Sequence, residues 1–329
     1  MSRSTASPAT AQPLAAARPT QPIIRAMLEE IGKALNGKDE VIYKVLLAIL
    51  AGGHILLEDM PGVGKTTLAL AISRTLDLSC KRIQFTPDVL PTDVVGFNMY
   101  SKATDRFIFR EGAAFCNLLL ADEINRTSSK TQSALLELME EGAVTIDGVT
   151  HPLPAPHIVI ATQNPITCVG TQRLPESQLD RFLVRLSIGY PDAGAEIALL
   201  KARRSGDPLD TVCRIADAET LLEMRAAVED IYVSDTLYRY VVALTNATRS
   251  HSAVRLGVSP RGSLALMQMA KASAFAQGRD HLLPDDIVYV APDVFCHRML
   301  MQGSAADAPA LAEAAVRDIL AATPLPWTD

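Results

Sequence analysis

The sequence predicts an α/β domain built on a mainly parallel five-stranded sheet, followed by a smaller all-α domain. Three observations predict it. An apolar run ending at Leu56-Leu57 enters a glycine-rich turn and leaves it into Leu68-Ala69-Leu70-Ala71-Ile72, a strand–turn–helix pattern. Two further apolar runs, Leu118–Ala121 and Ile158–Ala161, show no polar alternation, which fits parallel strands covered on both faces. Beyond Pro191 the apolar spacing is helical, segment after segment.

The bulk properties set limits. At 329 residues the chain exceeds one usual domain, and 48% hydrophobic residues suffice for a sizeable core. A net charge of −6 and a pI near 5.6 argue against a general nucleic-acid binder. The five cysteines (Cys80, Cys116, Cys168, Cys213 and Cys296) are scattered and odd in number, without CxxC spacing. That usage fits reduced thiols rather than a disulfide framework or a zinc site. No apolar run approaches a membrane span and the N-terminus has no signal-like apolar stretch, so the chain reads as soluble and cytoplasmic. The expected organisation is a disordered Ser/Thr/Ala/Pro tail over 1–20, a nucleotide-binding α/β core over 21–191 and a helical domain over 192–329.

Taken in order, Ile23, Ile24, Met27, Leu28 and Ile31 share one helical face. A second helix follows Gly37-Lys38-Asp39, with Val41, Ile42, Val45, Leu46, Ile49 and Leu50 apolar, and stops at Gly52-Gly53. The strand His54–Leu57 feeds the turn Asp59-Met60-Pro61-Gly62-Val63-Gly64-Lys65-Thr66-Thr67. A strand passing through such a turn into a helix N-terminus builds a phosphate cradle from converging N–H groups and the helix dipole. Lys65 can reach the β/γ-phosphates and the Thr66 hydroxyl can hold Mg²⁺; Asp59 occupies the first glycine position of the usual G-x-x-x-x-G-K-[ST] pattern.

Lys81–Phe85 reads as a second strand, and 94–112 as a hairpin or inserted helix-and-hairpin with an exposed face. Leu118–Glu123 reads as a buried strand whose two terminal carboxylates suit metal holding by Asp122 and water polarisation by Glu123. A helix starting at Thr127/Ser128 ends at Gly142, and Asp147-Gly148 turns a second hairpin over 143–150. The strand Ile158–Thr162 delivers Asn164 toward the same crevice, where it could orient water or the γ-phosphate. Leu183–Ile188 is the fifth strand. In the helical domain Ser259-Pro260 cap a helix whose first turn carries Arg261, a place electrostatically poor for a cation, which suggests an anionic partner such as a nucleotide phosphate.

Together these residues resemble the MoxR family of AAA+ ATPases, from about Gln21 to Arg298. The resemblance is carried by Gly53–Thr66, Phe85-Thr86-Pro87-Asp88-Val89-Leu90-Pro91, Ala121-Asp122-Glu123-Ile124-Asn125-Arg126, Ala161-Thr162-Gln163-Asn164-Pro165, Leu174–Phe182 and Ser259-Pro260-Arg261. The family is similar at Asp59 too. The resemblance implies an AAA+ P-loop core with a helical lid that binds ATP and Mg²⁺. Lys65 and Thr66 would be Walker A, Asp122 and Glu123 Walker B, Asn164 sensor 1 and Arg261 sensor 2. Arg181 would be an arginine finger acting on a neighbour in a ring of six; such an arginine contributes about 10³–10⁵ in rate in related systems. The hairpins would face the ring's pore or a partner. The resemblance also implies chaperone-like remodelling or metal-cofactor insertion in a partner with a von Willebrand factor A domain.

The sequence departs from the family at Thr167-Cys168-Val169 and Gln172-Arg173, which makes Arg173 an additional candidate finger. Besides this reading, with nucleotide between the two domains, a nucleic-acid motor and a nucleotide-gated module with little hydrolysis stay open. A small-molecule kinase ranks last, since no acceptor site is evident.

Overall fold

The computed structural model describes residues 19–164, 174–202, 206–303 and 307–326. Most of the expected tail, together with Thr167, Cys168, Val169, Gln172 and Arg173, lies outside the described residues.

Two helices open the described chain, α1 (Pro22–Ala34) and α2 (Asp39–Leu50), each burying the face that the spacing assigned. Gly52, in the left-handed region at φ 73°, ends α2 and lets the chain turn into β1 (Ile55–Glu58). The glycine-rich turn then enters α3 (Lys65–Thr75), and β2 (Cys80–Gln84) follows. A short helix α4 (Pro91–Val95) leads into the antiparallel hairpin β3 (Phe97–Ser101) and β4 (Arg106–Arg110). The root of this insert is tight. A Cβ on Gly96 would lie 2.3 Å from the Arg110 carbonyl, and one on Gly112 would lie 2.3 Å from the Val94 carbonyl. Only glycine lets the two stems approach so closely.

β5 (Leu118–Asp122) is buried along its whole length. α5 (Ser129–Glu141) starts where the Ser128 hydroxyl accepts the Thr131 N–H and ends at Gly142 in the left-handed conformation. Asp147 and Gly148, both with positive φ, turn the hairpin β6 (Ala143–Ile146) and β7 (Val149–Pro152), as a D-G turn should. β8 (Ile158–Gln163), the single-turn helix α6 (Glu176–Leu179) and β9 (Val184–Leu186) complete the α/β part.

The five strands form one fully parallel sheet in the order β2-β5-β8-β1-β9, with Ile55 opposite both Ile160 and Val184, and Leu118 opposite both Cys80 and Ile158. All the strands therefore end on one edge. The glycine-rich turn, Asp122-Glu123 and Asn164 lie along it, where open parallel sheets bind ligands.

The remainder is α7 (Ala193–Ala202), α8 (Ala218–Glu229), α9 (Asp235–Ser250), α10 (Pro260–Ala276), α11 (Pro284–Phe295) and α12 (Ala308–Ala322). It also holds an antiparallel ribbon of β10 (Val254–Leu256) and β11 (Leu300–Met301), too short for the apolar pattern to announce. Apolar packing runs continuously from α1 and α2 into α8, α10 and α11. Among the described residues no helix is long and apolar enough to cross a membrane, and no group of three His, Cys, Asp or Glu side chains could hold a metal ion.

Candidate nucleotide site and its arginine edge

A cavity of about 310 Å³ opens at the C-terminal edge of the sheet, lined by Pro61, Gly62, Gly64, Lys65, Thr66, Thr67, Arg82, Gln84, Asp122 and Glu123. The turn owes its shape to Gly62 (φ 87°) and Gly64 (φ 101°), conformations that side chains resist. Gly64 is also the N-cap of α3, so the open N–H groups of the helix and its dipole face the same space. Lys65 donates from Nζ to the Asp59 carbonyl at 2.7 Å. Burial pulls the Lys65 ammonium below its ordinary value, against the opposing pull of Asp59, Asp122 and Glu123.

The Asp59 carboxylate does not line this cavity. It is buried and accepts from the Ser187 hydroxyl (2.7 Å), the Ile188 N–H (2.6 Å) and the Gly189 N–H (3.0 Å), bolting the turn to the chain leaving β9. Asp59 is thus a structural carboxylate, and only its carbonyl meets the Lys65 ammonium. Val63 likewise packs against the apolar core rather than lining the cavity.

The carboxylate pair is held by residues that sequence reasoning passed over. Thr162 on β8 accepts the Glu123 N–H at 2.9 Å and donates its own hydroxyl to Asp122 Oδ1 at 2.8 Å. One buried hydroxyl therefore fixes both acidic residues. Arg82 of β2 donates twice to Asp122 Oδ2, at 3.0 and 2.8 Å. Gln84 Nε2 (3.0 Å) and Arg126 (2.7 Å) donate to Glu123 Oε2. Glu123 has φ 56° and ψ 49°, an unfavourable left-handed conformation for a side-chain-bearing residue and one often kept at functional sites. The signal available in the sequence was the parity of β2 and β8: Arg82, Gln84 and Thr162 stand at their C-terminal ends beside Asp122. Asn164 stands just beyond β8, its carbonyl accepting from Asn125 Nδ2 at 3.4 Å, and does not line the cavity.

The donor set suits a magnesium nucleotide. Backbone N–H groups, a lysine and a helix N-terminus match phosphates, and the Thr66 hydroxyl and Asp122 carboxylate are the hard oxygen ligands Mg²⁺ takes alongside phosphate oxygens.

Arg181 and Arg261 stand elsewhere. Both line a second cavity with Glu140 and with Gly52, Gly53, His54 and Leu183, the last four of which precede β1 and β9 and so mark the opposite, N-terminal edge of the sheet. Six residues of extended chain separate Gly53 from Asp59, about 20 Å at ~3.3 Å per residue, far beyond the reach of an arginine. The expectation that Arg261 meets a phosphate held between the two domains of its own subunit is therefore corrected. Arg261 donates from Nη2 to Glu140 Oε1, and Arg181 Nη2 lies 3.3 Å from Glu140 Oε2. Asp180, next to Arg181, accepts from the Ser259 hydroxyl (2.9 Å) and from Arg298 Nε (2.8 Å). Arg298 also donates to the carbonyls of Asp180, Phe182 and Leu183; burial pushes its guanidinium down to about 10, against the pull of Asp180. The start of α10 and the end of α11 thus clamp the segment bearing Arg181.

His54 closes this edge. Its Nδ1 accepts the Val159 N–H at 3.0 Å, so Nε2 carries the proton and donates to the Met139 carbonyl at 2.9 Å. Burial pushes the imidazole down to about 4.

Comparison with known proteins matches this architecture. Residues 54–184 fit the model of the ATPase family associated with various cellular activities (AAA), and residues 246–319 fit an AAA lid domain. The Mycobacterium tuberculosis protein Chaperone MoxR1 is 39% identical over 281 residues, covering 83% of this chain and 74% of its own. This chain belongs to the MoxR family of AAA+ ATPases. The Bacillus subtilis (strain 168) protein YeaC is 45% identical over 305 residues, 93% of this chain and 95% of its own. A crystal structure of a candidate ATPase from Cytophaga hutchinsonii superposes with a TM-score of 0.85 at 36% identity, covering 92% of this chain and 94% of that one. The MoxR assignment carries nucleotide binding and ATPase activity at the level of the family.

Proposed function

We propose that this MoxR-type protein hydrolyses ATP with Mg²⁺ in a ring, each site composed of the phosphate edge of one subunit and the arginine edge of the next. The observation that carries the proposal is the division of labour between the two edges of one sheet. The cradle and the carboxylates converge on one cavity, while both arginines stand on the far edge, which supports their use on another subunit's phosphate. A ring, taken as six subunits, repeats that pairing all the way round.

In this reading the Gly62–Gly64 turn and Lys65 bind the phosphates, and Thr66 with Asp122 hold Mg²⁺, which supplies charge neutralisation at the phosphate oxygens. Glu123, oriented through its backbone by Thr162, takes the proton of the attacking water, and Asn164 helps to orient that water. Arg181 and Arg261 of the neighbouring subunit stabilise charge on the transferred phosphoryl group. The working output is chaperone-like remodelling, or metal-cofactor insertion, in a partner with a von Willebrand factor A domain. The name of the MoxR1 relative supports the chaperone part. The exposed residues Phe97, Tyr100 and Phe107 of the first hairpin offer a surface for a partner.

The test is ATP turnover at high protein concentration with Mg²⁺. Glu123→Gln is expected to bind ATP without turnover and Lys65→Ala to lose binding. Mixing Arg181→Ala with Lys65→Ala subunits is expected to restore activity that neither variant has alone. No restoration in mixed rings of demonstrated composition would overturn action across the subunit boundary. Recovery of a von Willebrand-type protein with ATP-loaded Glu123→Gln would support the partner assignment; recovery of nucleic acid instead would overturn it.

A further inference from the structure

Glu140 unites the two arginines, and nothing in the nucleotide cavity requires it. Three features single it out. First, its two carboxylate oxygens meet one arginine each, Oε1 with Arg261 and Oε2 with Arg181. Second, both partners are electrostatically ill placed on their own helices. Arg261 lies in the first turn of α10, where the dipole disfavours a cation, and Glu140 lies in the last turn of α5, where it disfavours an anion. Their ion pair offsets both penalties, and Arg181 adds a second cation to Glu140. Third, the surroundings are built rather than accidental. A Cβ on Gly262 would lie 2.9 Å from Arg298 Cδ and 2.3 Å from Val258 Cγ1, so α10 can bring Arg261 to this position only with glycine beside it. His54 at the same time holds the carbonyl of Met139, the residue before Glu140.

We infer that Glu140 is a positioning residue for the arginine edge: it holds Arg181 and Arg261 side by side as one forked cation that is delivered to the phosphate of the adjoining subunit. This rests on the reading of the arginines given above. Two guanidinium groups converging on one spot repel each other, and a carboxylate between them keeps both in place. The arms leave further N–H donors on each guanidinium for phosphate oxygens, since Glu140 engages one Nη2 of each. Because α5 begins six residues after Glu123, the same helix that carries this carboxylate is rooted beside the chain's own catalytic pair. Glu140 touches no reacting atom and acts through the arginines alone.

The experiment compares Glu140→Ala and Glu140→Gln with Arg181→Ala, Arg261→Ala and the combined variants, in assembled protein, reading kcat and KM for MgATP separately. Thermal unfolding is recorded for each. Loss of the carboxylate is expected to lower kcat about 10- to 100-fold with KM changed less than about threefold, since misplacing a catalytic group by about 1 Å costs that much. In the Arg181→Ala/Arg261→Ala background, Glu140→Ala is expected to change the residual kcat by less than about twofold. A nucleotide-binding titration on the Glu140 variants, read by fluorescence of a labelled ATP analogue, is expected to match wild type. Two results would overturn the inference: full kcat in well-folded Glu140→Gln while either arginine variant is inactive, or an equal loss from Glu140→Ala with and without the arginines, which marks a plain latch between α5 and α10. Wild-type kcat in both arginine variants would instead remove the reading of the arginines themselves.

Discussion

Acid should loosen the arginine edge, and His54 is one reason. Its neutral ring is an acceptor toward the Val159 N–H and a donor toward the Met139 carbonyl. Protonation at Nδ1 turns the acceptor into a donor that faces another donor. The folded-state value of about 4 lies below the ordinary 6.5, so the unfolded chain binds the proton more readily. The sign follows: this stabilisation is fully present above about pH 6.5 and is lost as pH falls toward 4. The limiting loss is about 3 kcal/mol at ~1.36 kcal/mol per pH unit. Between pH 7 and about pH 4.5, with one edge of the ring still within reach of solvent, the expected loss is about 2 kcal/mol. The comparison is with His54→Gln, whose side chain carries a donor and an acceptor but does not titrate. Denaturant midpoints for both proteins across this pH range isolate His54, because the other buried histidines, His157 and His297, titrate in both. Wild type is expected to fall by about 2 kcal/mol more than His54→Gln over that range. Parallel pH profiles would refute the tautomer assignment and the strain it implies.

Other substitutions separate fold from chemistry. Thr162→Val keeps the volume of the side chain but removes both bonds to the acidic pair; it is expected to cost about 1–2 kcal/mol of stability. The same variant is expected to lower turnover at least about tenfold with ATP binding retained, as an isothermal titration beside a turnover assay would show. Asp59→Ala strips three donors of a buried carboxylate and should cost about 3 kcal/mol in a denaturant melt, with ATP affinity falling because the turn is no longer tied to β9. Gly262→Ala forces α10 off Arg298, at about 1–3 kcal/mol, and should lower kcat more than it raises KM.

Much of the fold was readable because buried parallel strands and amphipathic helices leave different periods in the chain. Leu118–Ala121 and Ile158–Ala161 are uniformly apolar and uniformly buried, and Ser128, Gly142 and the Asp147-Gly148 turn sit where their backbone preferences place them. The cradle was readable for the same reason, since Gly62 and Gly64 are required by local geometry. What escaped depends on distance in sequence. Thr162 looks like an ordinary strand residue until β8 lies beside β5, and Glu140 looks like one more helix-surface acid until α10, more than a hundred residues later, delivers Arg261 to it. Asp59 carried the opposite lesson: the phosphate pattern put it with the ligand, whereas the carboxylate serves β9. Which edge of the sheet Arg261 occupies is a matter of how the helical part is docked, and no local pattern encodes that.

The glycine pair at the root of the first hairpin has a consequence for inheritance. Gly96 and Gly112 fix where β3 and β4 leave the body of the molecule, while Phe97, Tyr100 and Phe107 project outward. The base of the hairpin touches the second hairpin, through Asn98 with Asp147 and Phe109 stacked on His151, but the hairpin shares no residue with the acidic pair or its hydroxyl. Substitutions on the outward face of this hairpin therefore leave the cradle and the acidic pair untouched, so the two surfaces can change independently of each other.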